Sequence, residues 1–310
     1  MRHLFILNPC AGKKDNSGAW REKIESACQS RGADYSIHVT TGAGDACETV
    51  RSTLAASDEP VRIYACGGDG TLNEIVNGVI GFPQAQISVI PDGTGNDFVR
   101  NFSRPEQFLD IEAQLDGEPI RLDAIRVNDR YCINMINIGF DCEVVRKTDS
   151  IKKSPLVPDG LAYLVGVLAT LIRKPGVKAK ISFGGSEPED CRFLLTAIGN
   201  GAFCGGGYDS LPPASLRDGK MDFLGVSNLG RIKFLSLLGD YKKGKHLDGR
   251  AARYMRHVAA SEIEMDFGAE QAVCVDGEIV YENRIRLSVV PEAVSFSVPA
   301  GSELVQGEKK

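Results

Sequence analysis

Five consecutive residues, Gly67-Gly68-Asp69-Gly70-Thr71, have the composition of an anion cradle. The run Val61 to Cys66 before them has the length and the β-branched and aromatic content of a buried strand. Behind them, Leu72, Ile75, Val76 and Val79 are spaced to line one side of a helix. A strand, a glycine turn and a helix start present backbone N–H groups and the positive helix end to an anion, and a Cβ in the turn would hold a phosphate off that backbone. Asp69 asks for something more. A carboxylate beside polyphosphate repels it unless a cation or a sugar hydroxyl stands between them, so Asp69 points to Mg²⁺ nearby. These five residues alone fit a strand-to-helix turn that binds nothing equally well.

Other loops carry related residue types. Asn8-Pro9-Cys10-Ala11-Gly12-Lys13-Lys14 follows a short apolar strand, His3 to Leu7, and suits either adenine or phosphate contact or a solvated turn. Thr40 to Ala46 follows a second strand, Tyr35 to Val39, and Pro91 to Phe98 follows a fourth, Ile87 to Ile90. Asp218-Gly219 reads as a turn. Asp276-Gly277, between two apolar β runs, is a two-residue hairpin signal that leaves Glu278 at the surface just beyond it.

The elements that must position these loops follow from periodicity. A helix N-capped by Ser17, with Trp20, Ile24 and Ala27 on one face, ends before Gly32; a second runs to Ala56, and a third from Pro105 to Gly117. Strands alternating with helices predict a doubly wound parallel sheet, where ligands sit outside the carboxyl ends of the strands. Every loop named in the first hundred residues lies there. From Pro119 the period changes to two. Short strands are expected at 130–138, 177–183, 192–198, 221–226, 262–267, 271–275, 278–281 and 284–290, which predicts a mostly-β second domain, a sandwich, beginning near residues 125–130.

Composition narrows the functions. A chain of 310 residues with 43% hydrophobic and 25% charged residues is an ordinary globular protein, and a net charge of −5 argues against nucleic acid as a partner. Nine scattered cysteines with no CxxC pair imply free thiols in a reducing compartment and no zinc site. Met1 to Leu7 is too short an apolar run for a secretion signal. The longest apolar stretch, Leu161 to Ile172, would form a helix of about 18 Å against a hydrocarbon core of about 30 Å, so lipid contact is expected to be peripheral. Between Leu229 and His257, eight bases face two carboxylates, a local charge of +6 that leaves −11 for the rest. Interleaved with Phe234, Leu235, Leu237 and Leu238, these bases fit either an anionic membrane surface or a helical connection with its apolar face in the core.

GGDGTLNEIVNG, residues 67–78, resembles the nucleotide-binding signature of the diacylglycerol kinase catalytic-domain family, which includes the bacterial lipid kinases and the sphingosine and ceramide kinases. GGDGT is shared with NAD kinases and phosphofructokinases; Glu74, Asn77 and Gly78 favour the lipid kinases. Pro91 to Phe98 is similar to the family's P-x-G-T-x-N-D-F loop, with Asp92 and Val99 departing from the smaller or uncharged residues expected. Asn134 to Asp141 resembles its N-x-G-x-D element, and Gly199 to Gly219 its glycine-rich segment.

The resemblance implies an α/β nucleotide-binding domain over residues 1–127, of the NAD kinase and phosphofructokinase type and completed by 291–310, with a β-sandwich domain for lipid and metal over 128–290. ATP and Mg²⁺ are the implied cofactors. Contacts to the nucleotide fall on Asn8, Pro9, Gly12, Thr40, Gly67, Gly68, Asp69, Gly70, Thr71, Glu74, Gly93, Thr94, Asn96 and Asp97. The metal falls to Ser215, Asp218 and Lys220, with Asp218 supplying a carboxylate and its neighbours backbone carbonyls. Glu278 is the implied general base and Asp69 the second catalytic residue. The expected activity is transfer of the ATP γ-phosphate to a lipid hydroxyl, first of all diacylglycerol to phosphatidic acid. Phosphatidylglycerol or a sphingoid base is an alternative acceptor; a soluble-metabolite kinase such as an NAD kinase and a non-catalytic nucleotide or lipid sensor are the rival classes. The expected setting is cytoplasmic, peripheral to the inner membrane face, with a second copy of the chain as a further candidate partner.

Overall fold

The computed structural model describes residues 1–139, 176–227 and 229–305. Phe140 to Cys142 and the apolar stretch 161–172 lie outside the described residues. The chain folds into two compact units: Met1–Ala124, Leu216–Asp218 and the chain from Val290 onward form one, and Ile125–Ser215 with Gly219–Val289 form the other.

In the first unit, β1 (Arg2–Leu7), β2 (Tyr35–Val39), β3 (Val61–Gly67) and β4 (Ala85–Pro91) pair in parallel in the order β2-β1-β3-β4. All seven residues of β3 are buried, as befits a central parallel strand covered on both faces. Between the strands run α1 (Ser17–Arg31), α2 (Asp45–Ala55) and α3 (Asp69–Val79). Trp20, Ile24, Ala27 and Cys28 of α1 pack on Phe5, Leu7, Tyr64, Cys66 and Ile90 of the sheet, which is why those positions recur at helical spacing.

Two local expectations are corrected. The N-cap of α1 is Asn16 rather than Ser17. The helix expected from Pro105 to Gly117 is broken into a 3-10 turn, Pro105–Leu109, and a short α4, Ile111–Leu115. Asp110 divides them: its backbone is extended, and its carboxylate accepts the amides of Glu112 and Ala113, so it caps a new helix instead of continuing an old one.

The second unit is antiparallel. After β5 (Glu118–Val127) and β6 (Arg130–Cys132), β7 (Met135–Gly139) and β8 (Val177–Phe183) occupy successive halves of one strand position. Both lie between β9 (Glu189–Gly199) and β14 (Glu262–Val275), β7 pairing with Leu195 to Gly199 and β8 with Glu189 to Phe193. A small hairpin, β10 (Phe203–Cys204) and β11 (Tyr208–Asp209), precedes β12 (Met221–Ser227), which pairs with β9. Then come α5 (Arg231–Lys242), α6 (Gly249–Ala252) and β13 (Met255–Ala260), the last paired with β12. The end of the basic segment is therefore a strand, not a helical connection.

Phe234 and Tyr241 of α5 pack with Leu195, Ala197, Leu224 and Val226 in the core of this unit, while Lys242, Lys243 and Lys245 are exposed. The hairpin β14–β15 (Glu278–Val298) closes through Asp276-Gly277, both at positive φ, as Asp-Gly predicts. Each of these long strands was expected as two short ones. An irregularity between Asp266 and Gln271 interrupts the alternation of β14, and β15 continues past Val289 to lie parallel beside β4 at Phe296.

Candidate active site

The strands of the first unit end level. Leu7 is in register with Val39 and with Cys66, and Gly67 with Pro91. The next residue of three strands still bonds its neighbour: Asn8 N–H donates to Cys66 at 3.0 Å, Thr40 to Leu7 at 2.8 Å and Asp92 to Gly67 at 2.9 Å. All four loops therefore leave from one edge.

Side chains then tie these loops to one another. Asn8 Nδ2 donates to Thr71 Oγ1 at 3.0 Å, while its Oδ1 accepts the amide of Cys10 at 2.9 Å. Asp69 spans from the β3 loop to the β4 loop, accepting the amides of Asp97 and Phe98 at 3.1 and 3.2 Å. Asn96, held at φ 50°, exchanges two hydrogen bonds with the backbone of Gly93. Glu74 reaches the N-terminus of α2, accepting the amides of Gly44 and Ala46 at 2.9 and 3.2 Å. Asp45 closes the same loop on Thr41, whose amide and hydroxyl hold the carboxyl down, to about 2.

Several of the polar side chains that the sequence marks as nucleotide contacts are thus braces between loops. The N-cap of α3 is Gly68, which has no side chain to cap the helix itself. A Cβ on Gly93 would run into the backbone of Gly68, so the β3 and β4 loops touch main chain to main chain. Thr94 is exposed, Pro9 is half-buried and Thr40 is buried. A helix start with glycine at its N-cap, beside two loops in main-chain contact, fits the phosphates of a nucleotide.

The second unit contributes a different arrangement. Asp276 is 5% exposed, and its carboxylate accepts the amides of Ile133, Asn134 and Met135 at 2.8, 3.1 and 2.9 Å and faces Cys132 Sγ at 3.1 Å. Burial, and then the nearby Asp276 charge, pushes the Cys132 thiol up. This clamp pins the hairpin turn to the start of β7. Glu278, in register with Val275, stands exposed at the first position of β15. The Gly199-Asn200-Gly201 turn wraps the carbonyl of Asn134, which accepts the amides of Asn200 and Gly201 at 3.1 Å each.

Asp276 is the functional-site residue that sequence reasoning missed. The Asp-Gly pair announces the turn, but nothing local announces partners more than 140 residues away.

Ser215, Asp218 and Lys220 share one turn, with Asp218 and Lys220 exposed and Ser215 half-buried. The carbonyl of Leu216 within it accepts the Asp123 amide at 2.8 Å, which is how Leu216–Asp218 comes to belong to the first unit. Among the described residues no three His, Cys, Asp or Glu side chains converge. One carboxylate among carbonyls is a donor set that a hard cation accepts when phosphate oxygens and water complete its shell.

The model of the diacylglycerol kinase catalytic domain matches residues 2–127, and that of the YegS C-terminal NAD kinase β-sandwich-like domain matches residues 134–298. The chain belongs to the diacylglycerol kinase catalytic-domain family. A Shewanella frigidimarina protein bearing the name "Probable lipid kinase YegS-like" is 30% identical over 100% of this chain and 98% of its own. A Staphylococcus carnosus protein named diacylglycerol kinase is 31% identical over 89% of this chain and 88% of its own. Among solved structures, one from Bacillus anthracis str. Sterne superposes with a TM-score of 0.75 at 23% identity. A diacylglycerol kinase of the same strain superposes with 0.70 at 20%, and each of the two covers 96% of this chain and 97% of the other. These structures share its fold.

Proposed function

We propose that this lipid-kinase family member transfers the γ-phosphate of ATP to the free hydroxyl of diacylglycerol, giving phosphatidic acid. The observation that carries the reading is the level edge of the parallel sheet, where four loops converge and the β3 and β4 loops meet main chain to main chain at the start of α3. Gly67 to Thr71 and Gly93 to Asp97 hold the phosphates, and Asn8, Asp69 and Glu74 keep those loops in place. Asp69, whose carboxylate braces the β4 loop, would also favour a cation beside the phosphates. Asp218, with the carbonyls of Ser215 and Lys220, would hold Mg²⁺, which would offset the charge gathering on the phosphate oxygens.

Glu278 takes the proton from the lipid hydroxyl as that oxygen bonds to the γ-phosphorus. The bond from the phosphorus to the oxygen it shares with the β-phosphate breaks, and ADP leaves with that electron pair. Asp276 does not touch the reacting atoms; it holds the hairpin from which Glu278 projects.

The test is transfer of radiolabelled γ-phosphate from Mg·ATP to a panel of diacylglycerol, phosphatidylglycerol, sphingosine and NAD, with and without vesicles. Label in diacylglycerol supports the reading, label in another lipid corrects the acceptor, and label in NAD alone or nowhere overturns it. The protein works at the cytoplasmic membrane face through the exposed Lys242 at the end of α5 and Lys243 and Lys245 after it, since Phe234, Leu237 and Tyr241 are committed to the core. Reversing Lys242, Lys243 and Lys245 to Glu should weaken sedimentation with phosphatidylglycerol vesicles severalfold at low salt, each base being worth about 1 kcal/mol at most. Equal sedimentation would remove this surface from membrane contact.

A further inference from the structure

Asn16 and Asp92 lie 76 residues apart and meet at the edge where the loops converge. Asn16 occupies the N-cap of α1, where an asparagine side chain ordinarily accepts an amide of the first turn. It caps nothing here. Its Nδ2 instead donates to both carboxylate oxygens of Asp92, at 3.0 and 3.2 Å. The Asn16 side chain reaches across to another loop, while Asp15 Oδ1 accepts the Ser17 amide at 2.9 Å.

Asp92 is held from two further sides. Its amide donates to the Gly67 carbonyl at 2.9 Å, which fastens it to the end of β3. Its carbonyl lies against Gly12, at φ 68°, where a Cβ would come within 2.7 Å of the oxygen. One residue therefore joins the end of β3, the loop after β1 and the start of α1. The span between its two attachments, from Gly12 to Asn16, includes Lys13 and Lys14.

We infer that the Asn16–Asp92 pair is a latch that holds the Asn8–Asn16 loop against the loop after β4 and so positions it for the phosphates of a bound nucleotide. This role rests on the nucleotide reading given above. Asp92 is a positioning residue, and the form of the latch is specific. A neutral amide donor meets a carboxylate, so the pair turns that carboxylate toward Asn16 without adding a cation of its own beside the cradle.

That chemistry predicts a reciprocal pattern. Asn16→Asp sets two carboxylates against each other and opens the latch. Adding Asp92→Asn to it restores one amide and one carboxylate with the roles exchanged. Two measurements read the outcome in the full-length protein: the affinity for a fluorescent ATP analogue with Mg²⁺, and hydrogen exchange across residues 9–16 without nucleotide. Asn16→Asp should weaken the analogue about tenfold, the scale of one hydrogen bond to a charged group, and speed exchange. The reciprocal double variant should return both toward the wild type, within about threefold for affinity.

Unchanged exchange in Asn16→Asp would overturn the latch. Faster exchange with unchanged affinity would overturn its role toward nucleotide. A double variant no better than the single would overturn the pairing as the cause. If the wild type itself takes up no Mg·ATP analogue, the nucleotide reading fails and this role with it, whereas a wild type that binds beside a variant that binds equally well sinks the latch alone.

Discussion

The two units make their functional geometry in opposite ways. At the loop edge of the first, several side chains fasten loop to loop, and the β3 and β4 loops meet main chain to main chain. At the hairpin of the second, one buried carboxylate, Asp276, gathers three backbone amides inward so that one side chain, Glu278, can face outward. On the function proposed here, the contrast follows from the chemistry each would serve. A polyphosphate is bound best by many N–H groups spread over several loops, whereas a proton acceptor needs one side chain on a rigid support.

That comparison can be broken by experiment. Glu278→Gln should lower kcat by about 10³-fold, the scale of a lost general base, while ATP affinity stays within a few-fold. Unchanged turnover would take the hairpin out of the chemistry. Asp276→Ala leaves three buried amides without their acceptor and should lower stability by about 3 kcal/mol or more, read as an earlier urea midpoint at unchanged slope. An unshifted midpoint would mean that the clamp carries no strain-bearing load in the fold.

Sharpening the other side calls for changes at the loops. Gly93→Ala drives a Cβ into Gly68 and should raise the KM for ATP about tenfold, from overpacking of about 1–3 kcal/mol between two backbones that cannot separate freely. Glu74→Ala removes a brace rather than a contact, so the KM for ATP should rise only about two- to threefold with kcat unchanged. A loss at Glu74 as large as that at Gly93 would make Glu74 a direct ligand and blur the division between brace and cradle.

Much of the first unit was legible in the chain. Alternation of apolar runs with helical spacing marks β1 to β4 and the helices between them, and glycine-rich loops mark where each strand stops, because short-range sterics and amphipathic period act within a few residues. The Asp-Gly turn at Asp276 was legible for the same reason. The break at Asp110 was not, since an asparagine-like capping residue inside a helical pattern declares itself only when its carboxylate is seen on the amides of Glu112 and Ala113. Nor was the shared position of β7 and β8: two strands far apart in the sequence read as unrelated until β9 and β14 flank both.

By itself the sequence determined the classes of element, the loops that carry glycine and carboxylate, and the family whose motifs they match. Tertiary structure decided what those carboxylates do. Asp69, Glu74, Asp92 and Asp276 look alike as acidic residues near turns. Whether each faces a ligand or spends its lone pairs on amides 28 to 143 residues away depends on which chain segments packing brings alongside. Hydrogen bonding is set by distance in space, and local sequence pattern does not encode it.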